Sequence, residues 1–477
     1  FSVYAKYSGY HAQLRVFNIG GAKAYANFDL QNGTKGTSGG TDIIDSTITS
    51  VGNGWYRISL SLNYTIDPYS AGIIPIESPT DGEIPSYAGD GTSGILIQDF
   101  QHEVGLVATD YIETGASTAQ AGILEDMPRL DYSASCPSLL LEPQRTNNIT
   151  QSEYFGGSYT RANVDVVMGF TSPEGLNNAY RVSPTASGAG AYSVSIYAAR
   201  SGQPTSVKTN SFFVKPNGQR WIYLAPPTGG NDVVFFDLQN GVIGAEKGVS
   251  TGRIETHSNG WYRLSLTEDA NIGYCYFGVG FCDGDDSFTY TQSSNSIFLY
   301  GGQYELGSYP TSYIPTYGTS QTRSQDLTTA DTSGFYTDSS RGTLFTELSF
   351  PLAADGNYNG WFFWNGSTNY RIVIQRRGDT GRGQVEVRIN GTSQTSIISS
   401  SVITLEDNHK MLIKWYENEF TFFIDGVNVG SDTSLDSFSG TNLNELASRP
   451  TYNAANIKQA VLFPTALTDS ECIALTS

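Results

Sequence analysis

The sequence predicts an all-β protein built of β-sandwiches in series, and three observations predict it. Apolar and polar residues alternate over short runs bounded by Gly, Asn and Ser, and no segment sustains a 3.6-residue period. The composition suits strands and turns: aromatic residues are 13%, with 30 Tyr and 24 Phe, and there are 52 Gly but only 3 Met. A long stretch of the chain also repeats, which divides the 477 residues into modules near the usual ~150 residues per domain.

The repeat is read from three collinear matches. Phe28-Asp29-Leu30-Gln31-Asn32-Gly33 recurs as Phe236-Asp237-Leu238-Gln239-Asn240-Gly241. Asn53-Gly54-Trp55-Tyr56-Arg57 recurs as Asn259-Gly260-Trp261-Tyr262-Arg263. Gln101-His102-Glu103-Val104-Gly105 recurs as Gln303-Tyr304-Glu305-Leu306-Gly307. Both Asn-Gly pairs mark tight hairpins between alternating runs. The first copy is placed at residues 1–125 and the complete second copy at 147–326. Lys6 aligns with Lys215, which has about 68 residues of its module ahead of it, whereas Lys6 has five. The first copy is therefore expected to be N-terminally truncated, lacking its opening strands.

Between the copies lies an apolar, Pro-containing stretch, 126–146. It is expected to be an ordered connector that packs on a neighbour. The stretch 319–338 is rich in Ser, Thr and Asp and reads as a solvated linker. A third, unrelated module is placed at 327–477. It alternates over Gly342–Phe350 and Val385–Ile389, and Lys410–Trp415 leads into Phe420–Gly426, ending in Asp-Gly.

Composition also bounds the partners. Charged residues are 15%, against about 25% in an average soluble protein, and the net charge is −19. Nucleic acids and anionic membrane surfaces need clustered cations, so neither is an expected partner. No apolar run nears the ~20 residues that span a bilayer. Four Cys and four His make a zinc site improbable, and no Cys-x-x-Cys pair occurs. Cys275 and Cys282 read either as a hairpin disulfide or as two small buried hydrophobes.

Candidate chemistry is sparse. Retaining glycosidases need two carboxylates ~5–5.5 Å apart, yet Glu103, Glu305 and Glu347 each stand alone on a strand. Gly36-Thr37-Ser38-Gly39-Gly40 matches a nucleophile-elbow string but lies in an expected loop with no helix after it. The chain is therefore read as non-enzymatic. Sugars stack on aromatic rings and pair with planar polar groups. Trp55, Trp261 and Trp415 are read as core, and the carbohydrate-binding candidates are Trp221 with Tyr223, and Trp361 with Trp364 and Tyr370. Trp361 and Phe363 should face one way, Phe362 and Trp364 the other. Packing in the core or between subunits is the alternative for the same rings. Asp283-Gly284-Asp285-Asp286 is a dense oxygen cluster, with Asp90 in a comparable place in the first copy; Asp283, Asp285 and Asp286 are read as ligands for a possible structural calcium, with a solvated acidic loop as the alternative.

The residues also carry resemblances. Glu419–Val427 and the closing run Ile457–Phe463 resemble the laminin-G and concanavalin A-like lectin sandwich. The tail Thr465–Leu475 resembles the short helix that follows such domains, with Thr468 as cap and Glu471 three residues on. The two repeats look like jelly-roll carbohydrate-binding modules of families 4 and 9. The strings Gly307–Thr316 with Thr322-Arg323, Ser138–Asn147, and Gly89–Gly94 are similar to those of phage virion proteins, tail fibres among them. The first copy departs from this pattern, with Val107-Ala108-Thr109-Asp110 in place of Tyr-Pro-Thr-Ser. The resemblance implies tandem jelly rolls followed by a concanavalin A-like sandwich, in an oligomeric virion-surface fibre, as a trimer, that meets host-surface glycans and other virion proteins. The alternatives are a structural decoration or assembly protein of the virion, and accessory binding modules of a secreted polysaccharide-degrading enzyme.

Overall fold

The structure is a computed structural model, and it describes residues 1–17, 23–63, 70–119, 129–132, 136–157, 159–201, 206–225, 232–268, 274–350, 359–433, 436, 438, 443–448 and 454–477. It is all-β, as the sequence predicts. Among the described residues no helix is long and apolar enough to cross a membrane.

The first module is two four-stranded antiparallel sheets. One runs Ile43–Gly52, Trp55–Leu62, Ser2–Ser8, Gly94–Gln101; the other runs Thr34–Gly40, Lys23–Asp29, His11–Phe17, Ser70–Ile76. Alternate residues meet between them, with Val3, Ala5, Leu14, Phe28, Ile58 and Leu60 at the centre. The repeated strings are turn chemistry. Asp29 Oδ1 accepts the backbone N–H groups of Gln31 and Asn32, both at 3.0 Å, which ends the strand before Gly33. Asp237 does the same for Gln239 and Asn240. Asn53 and Gly54 have φ of 52° and 75°, and Asn259 and Gly260 have 59° and 77°, the left-handed pair that a tight hairpin demands. The Gly36–Gly40 string is an edge strand and not the expected loop, because Tyr25 and Ala26 pair across from it.

The second module has two six-stranded antiparallel sheets. The first is Thr160–Ala162, Ser195–Ser201, Tyr274–Cys282, Trp221–Leu224, Val233–Asp237, Val242–Lys247. The second is Val164–Phe170, Ala179–Pro184, Ser296–Leu306, Lys208–Asn217, Tyr262–Glu268, Ser250–Thr256. The last four strands of each sheet repeat the first module's sheets in the same order, and the four strands from Thr160 to Ser201 are additional. Cys275 and Cys282 lie on one strand, seven residues and roughly 23 Å apart at ~3.3 Å per residue. They do not face each other across a hairpin. The Cys282 thiol is free and buried, and the Cys275 side chain lies outside the described residues.

The third module packs a seven-stranded sheet on a six-stranded one. Leu344, Phe363, Ile374, Val387, Ile413, Trp415 and Phe422 fill the space between them. Its helix, Asp469–Thr476, starts with the expected capping box: the Thr468 side chain accepts from Glu471 N–H, and Glu471 accepts from Thr468 N–H at 2.8 Å.

The described residues of both joining segments contribute strands to the fold. Ser138–Leu141 pairs with Ala455–Phe463 of the third module, and Arg129–Asp131 adds outside it, so the connector forms the edge of the seven-stranded sheet. The expected solvated linker carries two strands instead. Gln321–Arg323 pairs with Arg145–Asn147 at the exit of the second module, and Thr328–Asp331 pairs with Glu445–Ser448.

Candidate functional site

The rings singled out from the sequence are brought to sheet faces but mostly covered. In Trp221–Leu224, Ile222 and Leu224 point into the core and Trp221 and Tyr223 point outward. Tyr223 is nonetheless 1% exposed, with Phe235 and Phe288 packed on it at 5.7 and 5.1 Å. Its hydroxyl accepts the Tyr192 N–H at 2.7 Å. Trp221 is half-buried, with the Arg220 guanidinium 5.5 Å from its ring and Gly244 beneath it. The alternation predicted for Trp361 to Trp364 holds: Trp361 and Phe363 enter the core, and Phe362 and Trp364 face out. Trp361 is 6% exposed and Trp364 7%. The Trp364 Nε1–H donates to Glu445 at 2.9 Å. Tyr370 is half-buried at a strand end, its hydroxyl 3.5 Å from Asn390 Oδ1. Tyr223, Trp361 and Trp364 are thus corrected from ligand platforms to packing residues, because neighbouring rings and loops cover faces that alternation alone leaves open.

The aspartate cluster is also corrected. Asp283 accepts Thr291 N–H and Oγ1–H, Asp285 accepts Ala245 N–H at 2.7 Å, and Asp286 pairs with Lys247. Three carboxylates turn to three separate partners. Among the described residues no group of three or more His, Cys, Asp or Glu could hold a metal ion.

The structure assembles a different surface, on the outer face of the third module's six-stranded sheet. Residues directly opposite one another share a face. Trp364, Arg371 and Arg388 therefore form one row across three strands. Phe362, Val373 and Glu386 form the next, and Gln375 and Gln384 stand in the third. Glu386 bridges the two guanidiniums, accepting from Arg371 at 3.2 Å and from Arg388 at 3.0 Å. Gln375 Nε2 donates to Gln384 Oε1 at 2.9 Å, and Gln384 Nε2 donates to Ser396 Oγ at 2.6 Å. Arg371 lies 6.0 Å over the Phe362 ring. The Nε atoms of Arg371 and Arg388 are buried with no protein partner among the described residues.

Gln375, Gln384 and Trp364 are each 7% exposed, so the accessible groups of this face are the half-buried Arg371, Glu386 and Arg388 beside the half-buried Phe362 ring. Guanidinium groups locked by a neighbouring carboxylate can pair with vicinal hydroxyls at little ordering cost. The sequence search for tryptophans missed these residues. Their signal was present in Arg371-Ile-Val-Ile-Gln375 and Gln384-Val-Glu386-Val-Arg388, polar residues at every second or fourth position between β-branched ones.

The recurring Glu103 and Glu305 are braces, as expected of lone strand-end carboxylates. Glu305 accepts the N–H and Oγ1–H of Thr311, both at 2.7 Å, and Glu103 accepts the N–H and Oγ1–H of Thr109 at 3.1 and 2.6 Å. Gln303 and Gln101 each tie the same Glu to the following loop. Burial pushes the Glu305 carboxyl up in spite of these bonds.

Comparison with known proteins adds similarity over part of the chain. No family model matches, and no curated protein matches. Among solved structures, a SAP-like pentraxin from Limulus polyphemus is 11% identical, with a TM-score of 0.24, over 29% of this chain and 70% of that one. The CBM40 of Ruminococcus gnavus IT-sialidase is 12% identical, with a TM-score of 0.25, over 29% of this chain and 84% of that one. Sheep galectin-11 is 8% identical, with a TM-score of 0.21, over 29% of this chain and 96% of that one. Each is a local likeness to less than a third of the chain.

Proposed function

We propose that this chain is a non-enzymatic glycan-binding protein, and that the outer face of the third module's six-stranded sheet is where it binds. The observation that carries the reading is the pair of half-buried arginines bridged by Glu386, with the half-buried Phe362 beside them. The face offers alternating donors and acceptors with little net charge, which suits neutral hydroxyl-rich ligands on a chain of net charge −19. A virion-fibre setting extends this reading. Its support is the likeness of the strings around Leu141 and Tyr309 to phage appendage proteins.

A glycan array probed with the full chain tests it. Retention of a defined glycan class, reduced tenfold or more in both Arg371→Ala and Arg388→Ala with circular dichroism unchanged, is the expected result. Silence across host-surface polysaccharides, or binding indifferent to both substitutions, moves this face to a purely structural role.

A further inference from the structure

We propose that the first module carries a saccharide site of its own, on the outer face of the sheet that contains Ser2–Ser8, built around Trp55 and separate from the third module. The two copies share one strand framework but fill this face with opposite chemistry. Val3, Ala5, Ile58 and Leu60 point into the sandwich, so Tyr4, Trp55 and Arg57 point away from it. Gln98 and Arg57 stand directly opposite Tyr4 on the two flanking strands and share its face.

The alignment of Lys6 with Lys215 makes Phe213 the counterpart of Tyr4, and Phe213 pairs with Tyr300 as Tyr4 pairs with Gln98. In the second copy Phe213, Trp261, Tyr300 and Tyr313 close into one aromatic cluster, and Trp261 and Tyr300 are each 1% exposed. The strand beneath is bulged at Gly301, with φ of 61°. A Cβ on that glycine would meet the Phe213 ring at 3.0 Å and the Tyr313 ring at 3.2 Å. The first copy has the same bulge but places Asp99 there, with φ of 55°. Rings packed as in the second copy leave no room for that side chain, and an amide replaces the aromatic ring at the Tyr300 position. Trp55, which the sequence reads as core, is accordingly half-buried, as is Tyr4.

The result is a groove of about 270 Å³ bordered by Tyr4, Asn53, Trp55, Gln98 and Asp99. Small-molecule sites span ~300–1,000 Å³, so this one has room for one or two sugar rings. Its polar groups are held in place. Gln98 Nε2 donates to Asp99 Oδ2 at 2.9 Å, and Lys6 Nζ donates to Asn53 O at 2.8 Å, which fixes the turn at the groove's end. Arg57 lies 5.4 Å from the Tyr4 ring and donates to Ser2 Oγ at 3.1 Å. A carboxylate and a carboxamide side by side offer acceptors and a donor to neighbouring hydroxyls, while the indole and phenol offer faces to the C–H bonds of a pyranose. Bulges re-aim side chains in this way beside binding sites. The ligand class is a neutral pyranoside.

Saturation-transfer NMR on the full chain, with the methyl pyranosides of glucose, galactose, mannose and N-acetylglucosamine, tests this. The titration is run in the Arg371→Ala background, so that the third module's face does not contribute. Expected is transfer to at least one of the four sugars. Its affinity should fall roughly five- to tenfold on Gln98→Leu, a change at an exposed position, and on Trp55→Ala with circular dichroism unchanged. Gln98→Tyr with Asp99→Gly, which installs the second copy's filling, should abolish it. Transfer to none of the four sugars overturns the proposal. So does transfer that is indifferent to both Gln98→Leu and the Gln98→Tyr, Asp99→Gly pair.

Discussion

At the scale of single residues, the clearest electrostatic feature is Glu153. Tyr300, Tyr313 and Tyr317 donate to its Oε1 at 3.2, 3.3 and 3.0 Å, and Asn178 donates to Oε2 at 3.1 Å. Burial first, and the nearby Glu174 second, push its carboxyl up to about 7. The folded state then holds a proton that the unfolded chain has released, so stability is full below about pH 4.5 and is lost as pH rises through 7. Thermal unfolding followed from pH 5 to 8 should show this decline, at roughly 1 kcal/mol per pH unit at most. Glu153→Gln should flatten it, and an unaltered slope in that variant assigns the dependence elsewhere. Trp415 is a core residue by the same local reading that the sequence allowed. It is fully buried, and its Nε1–H donates to Ser339 O at 3.0 Å. Trp415→Ala should cost about 3–5 kcal/mol in denaturant unfolding of the third module. The Thr468–Glu471 cap and the direction of Trp361 to Trp364 were legible because both are set within a few residues. The depth of those rings was not, since Glu445 and the strands beside them come from elsewhere in the chain.

At the scale of elements, the phage-like strings Ser138–Asn147 and Gly307–Thr316 with Arg323 become one latch. Glu142 receives the Ser312 N–H at 2.8 Å and Arg323 at 2.9 Å, and also pairs with Arg129. Asp326 accepts Glu142 N–H at 2.6 Å and pairs with Arg129 as well. Burial alone would raise the Glu142 carboxyl, but Arg323 and Arg129 outweigh it and hold it below the usual range. The Tyr309 hydroxyl accepts the Ala454 N–H at 2.7 Å, and Asn147 donates to Gly302 O and Ile314 O. The strings thus specify how modules join, which a motif search cannot distinguish from ligand contact. The connector extends the point. Leu141 is buried in the third module's core. Leu141→Ala should therefore lower that module's stability by about 2–5 kcal/mol, measured as its own calorimetric or exchange transition. A loss confined to the first or second module refutes this placement. The connector's order was legible from its apolar content, but its partner strand was too far along the chain to be read.

At the scale of the whole molecule, the repeat made the first two modules legible and the last four strands of each sheet interchangeable in order. The third module is not closed by its own residues. Residues 327–477 alone lack the two outermost strands of the seven-stranded sheet, and should melt below a chain of residues 129–477. Equal melting temperatures would mean that the hairpin contributes nothing. Synthesis gives this topology a timetable. Leu139 pairs with Ile457, which a ribosome adding roughly 5–20 residues per second reaches tens of seconds later. Throughout that interval the hairpin lacks its partner strand, while the second module can emerge and fold behind it. The final strand is thus the keystone that arrives last, and until it does, the chain holds finished parts whose mutual orientation is still undecided.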